Sequence, residues 1–100
     1  MNIGLAIRKL RTEHGMSQTQ LGEKCGLTAN AISALEIGKT SPQKATIVRM
    51  CEAFGIPTAL LHLSAIEEGD FPEEKRVLYR VLLEPLRNEL LKKTDDDEKC

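Results

Sequence analysis

Apolar residues in the first sixty positions recur every three or four places and are broken repeatedly by glycine. Almost no stretch alternates apolar and polar residues over strand length, so the rhythm predicts short amphipathic helices. Asn2 can cap a first helix with Ile3, Ile7 and Leu10 on one face and Gly15 as its stop. Ser17 followed three residues on by Gln20 makes a capping box, with Met16 and Leu21 placed as its hydrophobic staple. The second helix then runs Gln18–Cys25 and closes at Gly26. Thr28 caps a third helix, Ala29 to about Ile37, with Ile32 and Leu35 inward and Gly38 as its stop. A turn punctuated by Pro42 leads to a fourth helix, Lys44–Phe54, expected to bury Ile47, Val48, Met50 and Cys51 and to end at Gly55. Pro57 and Thr58 start a brief fifth helix through Ala59, Leu60 and Leu61.

Beyond Gly69 the pattern changes. Pro72, Glu73 and Glu74 suit the positive end of a helix dipole. Leucine then recurs at Leu78, Leu82, Leu86 and Leu90, flanked by Val77, Val81 and Leu91. The stripe stays in phase across Pro85, which points to one helix bent at the proline, since Pro85 has no backbone N–H to donate. Asp95, Asp96, Asp97 and Glu98 read as a frayed, solvated tail. The expected organisation is a helical domain over 1–66, a helical segment over 67–94 and an acidic tail over 95–100.

Charge sharpens this division. The chain has 100 residues and a net charge of −1, which by itself indicates no nucleic-acid partner. From Met1 to Leu60, however, seven basic residues face four acidic ones, and from Leu61 to Cys100 seven face eleven. A mildly basic body is masked by an acidic end. The length suits one small domain with an appendage and excludes a Rossmann pair or an enzyme with an interdomain cleft. No apolar run reaches a membrane span, and Met1 to Leu10 lacks the apolar block of a secretory signal. The expected location is therefore cytoplasmic, with no membrane partner. Cys25, Cys51 and Cys100 have no recognisable disulfide or zinc spacing, and Cys25 and Cys51 lie in apolar helical phase. His14 and His62 have no partner at ligand spacing, and His14 suits the carbonyl end of the first helix. No phosphate loop, GxSxG or acid/base pair is present. The reading is a non-enzyme with no cofactor and no metal. Three aromatics, Phe54, Phe71 and Tyr79, are too few for a platform that stacks single-stranded bases.

Two short helices joined by a glycine turn, Gln18–Cys25 and then Thr28–Ile37, make a helix-turn-helix unit. Leu21, Cys25, Ile32 and Leu35 lock the pair, small Gly22 lets the helices cross closely, and Gly26 supplies the turn. The outward residues of the second helix are then free to enter a major groove.

The run SQTQLGEKCGLTANAISALEIGK, within a stretch from about Ile7 to Ile56, resembles the Cro/phage-repressor (xenobiotic-response-element) helix-turn-helix family. The resemblance implies an all-α, five-helix repressor-like DNA-binding domain, usually a homodimer on a palindromic operator. The C-terminal bent helix would then be the dimerisation segment, through Val77, Leu78, Val81, Leu82, Leu86 and Leu90. By position, Ala29, Asn30, Ser33 and Ala34 match base-facing residues. Gln18, Thr28, Lys39, Thr40, Ser41 and Lys44 match residues at the DNA backbone. The Gln18 amide is also expected to brace a reader near the start of the third helix. Arg11 and Glu36 match a structural ion pair. Several relatives carry glutamine where this chain has Ala29 and Ala34, and Ile37 replaces a residue that is often polar. Asn30 is thus the one bidentate reader, favouring adenine, while the alanines suit thymine methyls. So few hydrogen-bonding readers imply a share of specificity from DNA shape.

Two functions follow. The first is a dimeric repressor of double-stranded DNA. The second is the antitoxin of a toxin–antitoxin pair, whose helical tail binds a basic toxin, or an antirepressor protein, while DNA binding serves autoregulation.

Overall fold

The computed structural model describes residues 1–92. The expectations for the tail 95–100, for the last two positions of the segment 67–94 and for Cys100 lie outside the described residues. Five helices build the N-terminal body: α1 (Ile3–Glu13), α2 (Gln18–Cys25), α3 (Ala29–Glu36), α4 (Lys44–Phe54) and α5 (Thr58–Ala65). No strand occurs among the described residues.

Local chemistry sets where these helices begin and end. Asn2 Oδ1 accepts from the Leu5 N–H at 3.0 Å and starts α1. Ser17 Oγ accepts from the Gln20 N–H at 3.0 Å while Gln20 Oε1 accepts from the Ser17 N–H at 2.8 Å, completing the capping box of α2. Thr28 Oγ1 accepts from the Ala31 N–H at 3.1 Å and starts α3. At the other end of α3, Gly38 has φ +81, the left-handed conformation that side chains resist. That turn lets the Gly38 N–H reach Leu35 O at 3.2 Å and the Lys39 N–H reach Ala34 O at 2.9 Å, the two bonds of a Schellman motif.

The helices close around one core. Ile7, Leu10, Leu21, Cys25, Ile32, Met50 and Leu61 are fully buried and come from all five helices. Burying each of the larger ones contributes on the order of 1.5–3 kcal/mol. α1 packs on α3 and α5, and α2 on α3 and α4. The Asn2 N–H donates to Ala65 O at 2.8 Å and ties the start of α1 to the end of α5.

Two expectations need correction. Val48 is 39% exposed instead of buried. The inward row of α4 is Ile47, Met50, Cys51 and Phe54, and Val48 stands about 100° round the helix from Ile47. The fifth helix also runs on to Ala65, because Leu61 and Ala65, four residues apart, both enter the core.

After 3₁₀ turns at Glu68–Asp70 and Glu73–Lys75, a helical rod runs through α6 (Arg76–Leu78), a π turn (Tyr79–Leu83) and α7 (Glu84–Leu91). The π turn ends two residues before Pro85. A proline ring collides with the carbonyl four residues back in an α-helix, and the wider turn accommodates it. Tyr79 Oη donates to Ile66 O at 3.1 Å, and Arg87 Nη1 donates to Ile66 O at 3.1 Å and to Tyr79 Oη at 2.9 Å. This knot, with Leu91 packed against the core, fastens the rod to the end of α5.

Candidate nucleic-acid interface

The unit formed by α2 and α3 depends on close backbone approach. A Cβ built on Gly22 would lie 2.4 Å from Leu27 O, so only glycine lets the turn fold back onto α2. Arg49 Nη1, from α4, donates to Cys25 O at 3.2 Å and supports the end of α2. Burial pushes both the Cys25 and Cys51 thiols up from their usual range, and the Arg49 charge partly offsets this for Cys25. Two buried, protonated thiols fit a packing role.

Glu36 is the one acidic residue between Gly26 and Cys51. It is withdrawn from the surface. Its side chain is 2% exposed and that of its partner Arg11 is 12% exposed. Arg11 Nε donates to Glu36 Oε2 at 2.6 Å and Arg11 Nη2 to Glu36 Oε1 at 3.2 Å, a two-pronged pair. Arg11 Nη1 also donates to Met16 O at 2.9 Å, and Gln18 Nε2 donates to Glu36 Oε1 at 3.1 Å. The Gln18 amide therefore meets the C-terminal end of α3 and does not brace its first turn. The carboxylate is the strongest acceptor within its reach, and it draws the amide there.

With Glu36 neutralised, the remaining charges from Gly26 to Cys51 are Lys39, Lys44 and Arg49, all exposed. Asn30 is exposed on the first turn of α3, with Ala29, Ser33 and Ala34 half-buried beside it. Thr28 is exposed at the head of the same helix, and Thr40 and Ser41 are exposed in the loop that follows it. Ile37, at the foot of α3, is 68% exposed. The result is a low-relief helix face, small side chains around one amide, bordered by cations and hydroxyls.

Sequence reasoning missed four structural residues: Gly4, Arg49, Tyr79 and Arg87. A Cβ on Gly4 would lie 2.4 Å from Leu35 O and 2.6 Å from Glu36 O, so α1 rests directly on the backbone of α3. A glycine inside an otherwise regular helix was the available signal. Arg49 carried no signal, since its acceptor is a main-chain carbonyl. Tyr79 and Arg87 share a main-chain acceptor, Ile66 O, and were equally silent.

Comparison with known proteins agrees with this architecture. A helix-turn-helix family model matches residues 7–61. The HTH-type transcriptional regulator PuuR of Escherichia coli (strain K12) is 29% identical over 75 residues, which cover 75% of this chain and 38% of PuuR. An uncharacterized HTH-type transcriptional regulator of Bacillus subtilis (strain 168), YgzD, is 34% identical over 50 residues, 50% of this chain and 76% of its own. The SPbeta prophage-derived uncharacterized HTH-type transcriptional regulator YonR of the same organism is 31% identical over 70 residues, 70% of this chain and 65% of YonR. The chain thus spans 38% of the length of PuuR. No solved structure matches. Among the described residues, no helix is long and apolar enough to cross a membrane. With the glycine-turned helix pair, no exposed acid between Gly26 and Cys51, and a family match over more than half of its length, the chain belongs to the Cro/C1-type helix-turn-helix family of DNA-binding transcription regulators.

Proposed function

We propose that the protein is a sequence-specific regulator of double-stranded DNA, acting in the cytoplasm as a dimeric repressor on a palindromic operator. One observation carries this reading: the first two turns of α3 present Asn30 among small residues, on a surface whose only acid is buried and paired. A helix of that relief enters a major groove deeply. Asn30 then pairs in bidentate fashion with adenine, Ala29 and Ala34 touch thymine methyls, and Ser33 lies between them. Thr28, Lys39, Thr40, Ser41 and Lys44 reach phosphates on either side, and Gln18 does so with the amide proton that Glu36 leaves free. Two copies present their readers one helical turn apart, roughly 34 Å.

Selection from random duplex DNA tests the proposal. An enriched site with two-fold symmetry is expected, bound with an affinity that falls steeply as salt rises because counterions are released. Failure to enrich any sequence, or binding without a salt slope, overturns it.

A second reading, the antitoxin, draws on the exposed apolar stripe of the C-terminal rod. A stoichiometric small basic protein copurifying with the chain favours that reading; a clean homodimer favours the first.

A further inference from the structure

The C-terminal rod carries the largest apolar surface left open among the described residues. Val77, Leu78, Val81, Leu82, Leu86 and Leu90 are each between 52% and 63% exposed. The opposite side of the rod, Tyr79, Leu83, Arg87 and Leu91, is buried or half-buried against the five-helix body. The stripe therefore points directly away from the domain. Its leucines are spaced four residues apart, and in an unbroken α-helix Leu90 would have drifted about 120° round the axis from Leu78. The π turn at Tyr79–Leu83 has more residues per turn and cancels much of that drift. All four leucines remain exposed on one side.

We propose that this face pairs with the same face of a second copy, antiparallel, about a two-fold axis passing through Leu82. The inference rests on the dimeric reading above and adds its geometry. A two-fold interface must be self-complementary. About Leu82 the centre of the stripe is so arranged, because Leu78 and Leu86 stand four residues to either side and meet each other across the axis, while Leu90 falls opposite Glu74 at the edge of the contact. Charge selects the same direction. Within Arg76–Leu91, the charges before Leu82 are Arg76 and Arg80, and those after it are Glu84, Arg87 and Glu89. Arg87 is turned inward onto Ile66 O and Tyr79 Oη. Arg76 donates to Phe71 O at 3.1 Å and is half-buried, and Glu84 is half-buried too. The exposed charges are therefore Arg80 before Leu82 and Glu89 after it. Arg80 also pairs with Glu68 of its own chain at 3.2 Å, an exposed contact that leaves it near the surface. The outer surface is thus basic in its first half and acidic in its second. Parallel pairing sets like against like, and antiparallel pairing sets basic against acidic. The two copies together would cover roughly 1,000 Å², at the threshold for a specific interface. Arg80 is the one exposed charge between Val77 and Leu86, and Glu68 of its own chain holds it at 3.2 Å.

Cysteine cross-linking in the full chain, with Cys100→Ser as the background, reads the geometry directly. Leu82→Cys is expected to form a disulfide with its own copy under mild oxidation. Leu78→Cys and Leu86→Cys alone are not, because each lies about 12 Å along the rod from its mate, beyond disulfide reach. A mixture of those two variants should cross-link to each other. Self-linking of all three variants establishes parallel pairing and overturns the proposal. A dimer by solution mass in which none of them links places the interface elsewhere, and also overturns it. A monomeric mass for the unmodified chain instead overturns the dimeric reading itself. Leu82→Lys, which sets two cations on the axis at an already exposed position, is expected to weaken dimerisation at least tenfold while leaving the circular dichroism spectrum unchanged; an unchanged dimer contradicts the proposal.

Discussion

Replacing Arg11 by methionine isolates the ion pair that ties α1 to the end of α3. The substitution keeps most of the packing volume but leaves Glu36, with a side chain 2% exposed, facing no cation. Gln18 still donates one hydrogen bond at 3.1 Å, which is too little to solvate a buried carboxylate. Met16 O loses a donor as well. Removing one partner of a buried pair costs about 3–5 kcal/mol. For a domain of this size that is a large share of the whole stability, and it lowers the melting temperature by roughly 4–8 °C per kcal/mol. Glu36→Leu should cost less, because Arg11 at 12% exposure can still reach water with part of its guanidinium. The double variant should be more stable than the sum of the two single losses predicts, since no uncompensated charge remains. Urea denaturation of the four proteins provides the cycle. At a temperature where Arg11→Met is folded, it should retain its preferred DNA sequence, because the pair acts on helix placement and touches no base. An Arg11→Met protein within about 1 kcal/mol of the parent, or additive losses in the double variant, would refute the reasoning.

Other predictions address separate parts of the fold. Gly4→Ala drives a methyl into Leu35 O and Glu36 O, both backbone atoms, and should cost at least about 2 kcal/mol. Gly15→Ala meets nothing within 4 Å and carries only the strain of φ +67, about 1–2 kcal/mol, so chemical denaturation should rank Gly4→Ala as the worse. Cys25 and Cys51, buried and with their thiols pushed up by that burial, should resist alkylation until the chain unfolds, as peptide mapping after iodoacetamide labelling would show. Rapid labelling of either in the native protein contradicts the packing. Pro85→Ala restores a backbone donor and lets the π turn relax toward α-helix, rotating Leu86 and Leu90 away from Leu78. Sedimentation should then show a weaker dimer, and an unchanged one would contradict the role given to the π turn.

Much of this molecule was legible in its sequence because the signals are local. Asn2, Ser17 with Gln20, and Thr28 each act within four residues of themselves, and all three caps form where the sequence placed them. The glycine after α3 acts equally locally. What escaped notice works across the chain. Gly4 matters because α3 passes over it, and Arg49 because the last carbonyl of α2 points toward it. Neither condition is visible until the helices are packed. Val48 lies at the edge of an apolar arc, where period alone does not separate buried from exposed. The Gln18 amide shows how a close carboxylate overrides an expectation carried over by position: Glu36 captures it at the opposite end of α3. That Pro85 would disturb the helix was foreseeable, but the π turn ahead of it, which keeps the leucines on one face, is a backbone solution that composition does not announce.

The central claim is that α3 reads bases through Asn30. Its most direct test is a protein–DNA cycle on the selected duplex, pairing the parent and Asn30→Ala with the site and with the site altered at one adenine. The account predicts that Asn30→Ala loses about 1–3 kcal/mol of affinity, that altering the contacted adenine costs the parent a similar amount, and that it costs Asn30→Ala almost nothing further. If every single-base change penalises the two proteins equally, Asn30 reads no base, and α3 is not the element that gives this protein its sequence preference.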